Sequence, residues 1–261
     1  MAQFGVSPED KTMNTWGARV FGLGVVALGI VCVVWGEFDF GQSVPKDFPA
    51  RTALAYGAAV FMLVAGAAVE WRQTVTWGSA ALAVYFALFV VILMDGRVVL
   101  ENYSEYGTYS GIAAQVALAA GALIIYAANA RIDATAATRF TRLGQRVFGV
   151  CAVLFGGAHF FYMNLTVPLI PSWLPPSQEF WAYATGIGHI VAGVAILTNL
   201  QARLAAILLT IMYASFTPLV HLPMLVADTS NRFIWSENAW NLILTGVAWV
   251  VADSLAKRGH S

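Results

Sequence analysis

The first long apolar run, residues 17–36, reads GARVFGLGVVALGIVCVVWG and decides the fold class. It is as long as the ~20-residue helix that crosses the hydrocarbon core of a bilayer. Seven further runs of this kind follow, and charged residues occur only near their ends. The predicted spans are 17–36, 52–70, 75–94, 110–130, 145–164, 180–198, 202–226 and 239–256. Because the runs are continuous rather than alternating, they predict an all-α polytopic protein with eight transmembrane helices.

The composition agrees with this prediction. Hydrophobic residues make up 59% of the 261 residues and charged residues only 11%, whereas a soluble domain is about 25% charged. A soluble enzyme and a disordered chain are therefore excluded. The formal net charge is zero and there is no basic run, which argues against a nucleic-acid partner and leaves the lipid bilayer as the expected surroundings.

The distribution of Lys and Arg between the predicted connections gives the orientation. One side carries Lys11, Arg19, Arg72, Arg131, Arg139, Arg142, Arg146, Arg203, Lys257 and Arg258, and the other carries Lys46, Arg51, Arg97 and Arg232. Cytoplasmic connections are enriched in Lys and Arg. Both termini are therefore expected in the cytoplasm.

An internal repeat appears at an offset of 127 residues, from position 19 to position 146. The stretch Arg19-Val20-Phe21-Gly22 recurs as Arg146-Val147-Phe148-Gly149, and Val64-Ala65-Gly66 recurs as Val191-Ala192-Gly193. The repeat predicts two tandem four-helix bundles, residues 1–130 and 146–261, joined by a basic cytoplasmic linker over residues 131–145. Each unit has an even number of spans, so the two are expected to be parallel.

Three histidines, His159, His189 and His221, lie within predicted spans of the second unit. Each belongs to a stripe of small residues at helical spacing, which is typical of a helix-packing face. The stripes are Gly149-Ala152-Gly156-His159, Ala182-Gly186-His189-Gly193 and Thr210-Ala214-Thr217-His221. Ionisable side chains in a membrane usually face the bundle interior. The three imidazoles are therefore expected to converge near the outer end of the second unit.

Three interpretations of this cluster remain open. The imidazoles could form a neutral hydrogen-bond network that holds the helices together. They could bind a lipid-soluble ligand such as a quinone head group, with Tyr162, Tyr183 and Thr217 as further contacts. They could also bind haem or a metal ion. The expected depths differ by roughly 6 Å, which disfavours a compact metal site, so no metal ligand and no catalytic residue is assigned.

The first unit has no histidine in its predicted spans. The positions equivalent to the three histidines are Cys32, Met62 and Met94. Their soft side chains suit Cu(I), but cysteine and methionine are also ordinary packing residues. The two units are therefore expected to differ in function.

The seventh span contains Pro218 and Pro223. Pro218 cannot donate to the carbonyl of Ala214 and disturbs that turn. Unpaired carbonyls at membrane depth are tolerated only inside protein or beside a polar cavity. The segment 218–223 is therefore expected to be either a kink or a cavity wall. No carboxylate is expected deep in any span.

Several stretches of the second half resemble the DoxX-like family of four-helix membrane proteins. They are Arg146-Val147-Phe148-Gly149, Phe155-Gly156-Gly157-Ala158-His159-Phe160, Pro171-Ser172-Trp173-Leu174-Pro175-Pro176, Gly188-His189-Ile190-Val191-Ala192-Gly193 and Val220-His221-Leu222-Pro223. They cover roughly residues 144–256, and the first half resembles the family only as a diverged copy. The resemblance implies an inner-membrane location in bacteria or archaea. Some members are small subunits of thiosulfate:quinone oxidoreductases or accompany other redox assemblies, which implies protein partners in a membrane complex.

These observations predict a membrane subunit of a redox-linked assembly, with an outward-facing histidine pocket for a quinone-like or other lipid-soluble ligand. One alternative is a non-catalytic scaffold or accessory subunit, in which the histidines only join helices. A second alternative is a small-molecule transporter that uses the two parallel units.

Overall fold

A computed structural model describes residues 16–256, and within this range eight helices are long and apolar enough to cross a membrane. The predicted eight-span, all-α membrane architecture is therefore confirmed. The helices are α1 (Trp16–Trp35), α2 (Arg51–Val69), α3 (Val75–Glu101), α4 (Tyr106–Asn129), α5 (Ala134–Phe161), α6 (Gln178–Thr198), α7 (Ala202–Ala227) and α8 (Arg232–Ala256). Lys11, Lys257, Arg258 and His260 lie outside the described residues. We call the end of the bundle that carries the 36–50 and 162–177 connections the outer end.

Several helices continue beyond the apolar runs that predict them. Helix α5 begins at Ala134 rather than near 145, and α8 begins at Arg232 rather than near 239. Charged residues end the apolar run from which a span is predicted, but they do not end the helix, which extends to its capping residue. At the start of α5, the Asp133 carboxylate accepts a hydrogen bond from the backbone N–H of Ala136 at 2.9 Å, as an N-cap does. The predicted linker 131–145 is thus mostly part of α5.

The two halves of the chain interlock through their first and fourth helices. Helix α1 packs on α2 and α8, while α5 packs on α6 and α4; α4 and α8 also contact each other and are the most buried helices. The fourth helix of each half thus lies against the first helix of the other, a contact that the repeat alone does not predict. Gly246 makes such closeness possible: a Cβ there would lie 2.4 Å from the backbone nitrogen of Phe21.

Close contacts between α1 and α2 recur between α5 and α6 at the 127-residue offset. A Cβ on Gly22 would lie 3.0 Å from the carbonyl oxygen of Gly66, and one on the equivalent Gly149 would lie 3.1 Å from that of Gly193. The pairs Gly29 with Ala59 and Gly156 with Gly186 match in the same way. Small residues let helix backbones approach in a membrane. The repeated tetrapeptides therefore occupy equivalent positions in the α1–α2 and α5–α6 contacts.

The buried faces of α5 and α6 are the predicted small-residue stripes, but the buried face of α7 is not. In α7 the buried residues include Leu209 and Tyr213, whereas Ala214 of the predicted stripe is exposed. A π-helical segment, Thr217–His221, follows. It contains Pro218 and adds an extra residue per turn, which shifts the helical phase. The shift brings His221 to the same interior as Tyr213.

The connection between α1 and α2, residues 36–50, folds into the first half. Asp39 and Gln42 are only 2% and 3% exposed. The Asp39 carboxylate accepts hydrogen bonds from the backbone N–H of Gly41 and the indole N–H of Trp240, both at 3.0 Å. The Gln42 amide donates to the Tyr85 hydroxyl at 3.2 Å. This connection thus ties the first half to α8.

An ion pair between Glu37 and Arg51 anchors the same connection. The hydrogen bond from the Arg51 guanidinium holds the pKa of the Glu37 carboxyl below its usual range. The pair therefore stabilises the fold at every pH above the pKa that Glu37 has in the unfolded chain. This stabilisation is lost as the pH falls through the lowered pKa of the folded protein. Because Glu37 is partly exposed, we expect at most about 1 kcal/mol.

Thermal unfolding of the wild type and of Arg51→Gln in detergent between pH 7 and pH 3 checks this prediction. The midpoint difference between the two proteins is expected to shrink towards the acid end. A constant difference over the whole range would contradict an electrostatic role for the pair.

Candidate histidine cavity

Three helices of the second half bring the predicted histidines to one cavity of about 370 Å³ at the outer end. His159 comes from the last turn of α5, His189 from the middle of α6, and His221 from the π-helical segment of α7. The ring centroids of His159 and His189 are 5.0 Å apart. Their predicted convergence is confirmed, while a ligand-binding role stays a prediction.

Backbone hydrogen bonds fix the tautomers of two of these rings. Nδ1 of His159 lies 2.8 Å from the carbonyl oxygen of Phe155, and Nδ1 of His189 lies 2.7 Å from that of Thr185. A carbonyl oxygen can only accept, so Nδ1 carries the proton in both rings. In the neutral imidazole, Nε2 is then an acceptor. The cavity is therefore lined by two rings that call for a hydrogen-bond donor.

Helix α8 contributes polar side chains that the sequence did not assign to the site. Glu237, Trp240 and Asn241 all line the cavity. Glu237 was expected in an outer connection, but the early start of α8 places it inside a span. Asp95 likewise lies inside a helix and is only 1% exposed in α3. Both carboxylates lie near the outer ends of their helices rather than deep in the spans. The signal that could have found Glu237 is its helical spacing to Trp240 and Asn241 on one face.

Tyr213 is a further lining residue that sequence reasoning missed. Its ring centroid lies 5.3 Å from that of His189. The side chain is 3% exposed, and its buried hydroxyl has no hydrogen-bond partner. An unpaired buried hydroxyl is costly. Tyr213 thus adds a polar group that a ligand could satisfy.

The three other predicted contacts lie at or beyond the edge of the cavity. Thr217 lies behind Asn241, whose side-chain amide donates to its hydroxyl at 2.8 Å. The Tyr162 hydroxyl packs beside Gly107, a residue of the cavity wall. Tyr183 is 49% exposed and its ring packs on Phe160, so the prediction that it lines the pocket is wrong. Its amphipathic ring faces outwards near a helix end, where aromatic residues meet the bilayer interface.

The equivalent interior of the first half is filled by the chain itself. Met62 stands in the place of His189 and is fully buried, with the Gln42 amide nitrogen 3.9 Å from its sulfur. Cys32, the equivalent of His159, is also buried. Met94 instead lines a separate apolar cavity. The 36–50 connection therefore fills the space that stays open in the second half, which makes the two halves structurally unlike.

The arrangement does not form a cluster of metal ligands. Among residues 16–256, no three His, Cys, Asp or Glu side chains lie together in a way that could hold a metal ion. The described groups are instead suited to hydrogen bonding and proton exchange, because imidazole, carboxyl and phenol groups meet around one small cavity.

Comparison with known proteins gives one match. A family described as a domain of unknown function (DUF8561) matches residues 148–251. The match spans α6 and α7, the second half of α5 and most of α8, and therefore includes all three histidines that line the cavity. No curated protein and no solved structure matches the chain.

Proposed function

We propose that this multi-pass membrane protein is a subunit of a redox-linked assembly, and that its histidine cavity binds the quinol form of a lipid-soluble quinone. The observation that carries the proposal is the tautomer of His159 and His189. Both rings donate through Nδ1 to backbone carbonyls, so each has Nε2 as an acceptor. A quinol offers hydroxyl donors, whereas a quinone offers only carbonyl acceptors.

The chemistry of the remaining lining groups supports the same ligand. A quinol hydroxyl would donate to Nε2 of His189. The carboxyl group of Glu237 is a further acceptor at the same cavity. Phe155, Phe216 and Leu244 line the rest of the cavity and suit an apolar ring.

We place the cavity on the non-cytoplasmic side of the inner membrane. The excess of Lys and Arg at the opposite end of the helices supports cytoplasmic termini. The recurrence of the Gly22–Gly66 contact as Gly149–Gly193 supports two four-helix repeats related by an axis along the membrane normal. The resemblance of residues 144–256 to DoxX-like proteins supports the inner membrane and a role beside redox enzymes.

A substitution at the mouth of the cavity tests the proposal. Gly111 lines the cavity, and a Cβ there would have no atom within 4 Å. Gly111→Phe is therefore expected to fit the fold, since a helical glycine is also unfavourable, and to obstruct the cavity. We expect it to weaken binding of a short-chain benzoquinol at least tenfold, which is about 1.4 kcal/mol.

Calorimetric titration of the purified protein in detergent measures this effect. The matched control is Gly57→Phe, at a glycine of α2 with equally open surroundings that does not line the histidine cavity. It should bind the quinol like the wild type. If the wild type binds no quinol, or if Gly111→Phe binds it equally well, the proposal fails and a scaffold role for the histidines is favoured.

A further inference from the structure

A second cavity lies in the other half of the molecule, between α2 and α3. Its volume is about 830 Å³, more than twice that of the histidine cavity. Its walls are almost entirely apolar, with Leu54, Phe61 and Phe89 among the lining residues. Leu54 is 46% and Phe89 49% exposed. The cavity therefore opens sideways, towards the lipid, rather than into the bundle.

The dimensions of this cavity match one lipid chain. Along α3 its lining runs from Ala81 to Arg97. This is at most about 24 Å at the 1.5 Å per residue of an α-helix, since Tyr85–Met94 is π-helical. One leaflet contributes about half of the ~30 Å hydrocarbon core. The cavity is thus long enough for an acyl chain with its glycerol and head group at the Arg97 end. An unfilled apolar cavity of this size would forfeit the contacts of its walls.

A basic side chain lies at the outer end of the cavity. Arg97 lines it and pairs only loosely with Glu101, at 3.6 Å and with both side chains more than half exposed. An exposed pair of this kind contributes little to stability, so Arg97 can exchange Glu101 for a phosphate. Lys46 follows the lining residue Pro45 in the chain, whereas Arg51 is held in its ion pair with Glu37.

The second half contains an equivalent cavity without these properties. Ala184, Thr185 and Phe216 line it in the places of Gly57, Ala58 and Phe89, but its volume is only about 350 Å³. Trp181 takes the place of Leu54 and occupies more of the space. Met224 stands where the first half has Arg97. The size and the positive charge thus belong to the first half alone.

We propose that the cavity between α2 and α3 is a binding site for one anionic glycerophospholipid. One acyl chain lies along Phe61, Tyr85 and Phe89, and the phosphate lies at Arg97 with Lys46 nearby. This site is separate from the histidine cavity, and its existence does not depend on quinol binding.

Native mass spectrometry of the full chain in detergent, titrated with dioleoyl phosphatidylglycerol or dioleoyl phosphatidylcholine, tests the proposal. The wild type is expected to retain one phosphatidylglycerol molecule more tightly than any further lipid. A Cβ at Gly57 would meet no atom within 4 Å. Gly57→Phe is therefore expected to place a ring at the opening and to lower the affinity for this first lipid about tenfold. Gly111→Phe, which fills the other cavity, should leave lipid binding unchanged.

Arg97→Gln tests the contribution of the lipid head group separately from that of the acyl chain. It is expected to lower the affinity for phosphatidylglycerol to that for phosphatidylcholine, while phosphatidylcholine binding stays the same. Equal retention of the first lipid by the wild type and Gly57→Phe would overturn the site. Equal affinities of the wild type for both lipids, unchanged in Arg97→Gln, would overturn the assignment of an anionic lipid.

Discussion

Replacing His189 by Leu is expected to weaken binding of a short-chain benzoquinol by about 10- to 100-fold while the helices stay folded. The loss corresponds to an unpaired buried hydroxyl on the ligand, about 1–3 kcal/mol. The fold should tolerate the change because Leu is apolar and of similar size. The carbonyl oxygen of Thr185, which accepts from Nδ1 of His189, lies one turn earlier in the same helix and keeps its place in the helical hydrogen-bond ladder.

A matched ligand makes this prediction specific. The dimethyl ether of the same quinol has no hydroxyl to donate, so the wild type should bind it at least as weakly as His189→Leu binds the quinol. In the variant, the preference for the quinol over its ether should fall by the same factor of about 10 to 100, because the interaction with His189 is gone while His159 still offers an acceptor. Calorimetric titration of the four combinations measures the coupling energy between His189 and the hydroxyls. A His189→Leu protein that keeps the full wild-type preference for the quinol would show that this imidazole does not receive a hydroxyl.

Gly246→Val is expected to have the largest effect on folding. A Cβ at Gly246 would lie 2.4 Å from the nitrogen and 2.6 Å from the Cα of Phe21. Both atoms belong to the backbone of α1, which cannot rotate away as a side chain can. We expect a loss of about 3 kcal/mol, the upper part of the usual range for overpacking, and partial failure to assemble.

Thermal unfolding and size-exclusion profiles in mild detergent measure this loss. The control is Gly57→Val, where a Cβ would meet no atom within 4 Å. It carries the same change of helix propensity and should melt at or above the wild-type temperature. If Gly246→Val and Gly57→Val unfold at the same temperature, the protein does not have the close contact between α1 and α8.

The bilayer explains why so much of this fold could be predicted from the sequence. A span must be long, apolar and helical, and all eight were found. The small residues on α5 and α6 also identified the buried faces correctly, which is why His159 and His189 were expected to converge. Periodicity identifies the buried face of a helix, but it does not say which helix covers that face. The contacts of α1 with α8 and of α4 with α5 were therefore missed.

The errors in the site have local physical causes. The π-helical segment of α7 shifted the helical phase, so Tyr213 rather than Ala214 is buried. Glu237 was placed outside the membrane because an apolar run ends sooner than the helix that contains it. Tyr183 was assigned to the pocket as a polar side chain, although amphipathic tyrosines are common on lipid-facing surfaces near helix ends.

The interlocked helices also constrain the order in which the protein can assemble. Helix α1 is made well before α8, one of its main neighbours. During synthesis, the early helices must therefore wait in the bilayer with an uncovered packing face that includes Gly17 and Gly24. The packing between α1 and α8 can form only after α8 has been made. Either half expressed alone would lack one of the main neighbours of its first helix, so we expect neither half to form the native packing by itself.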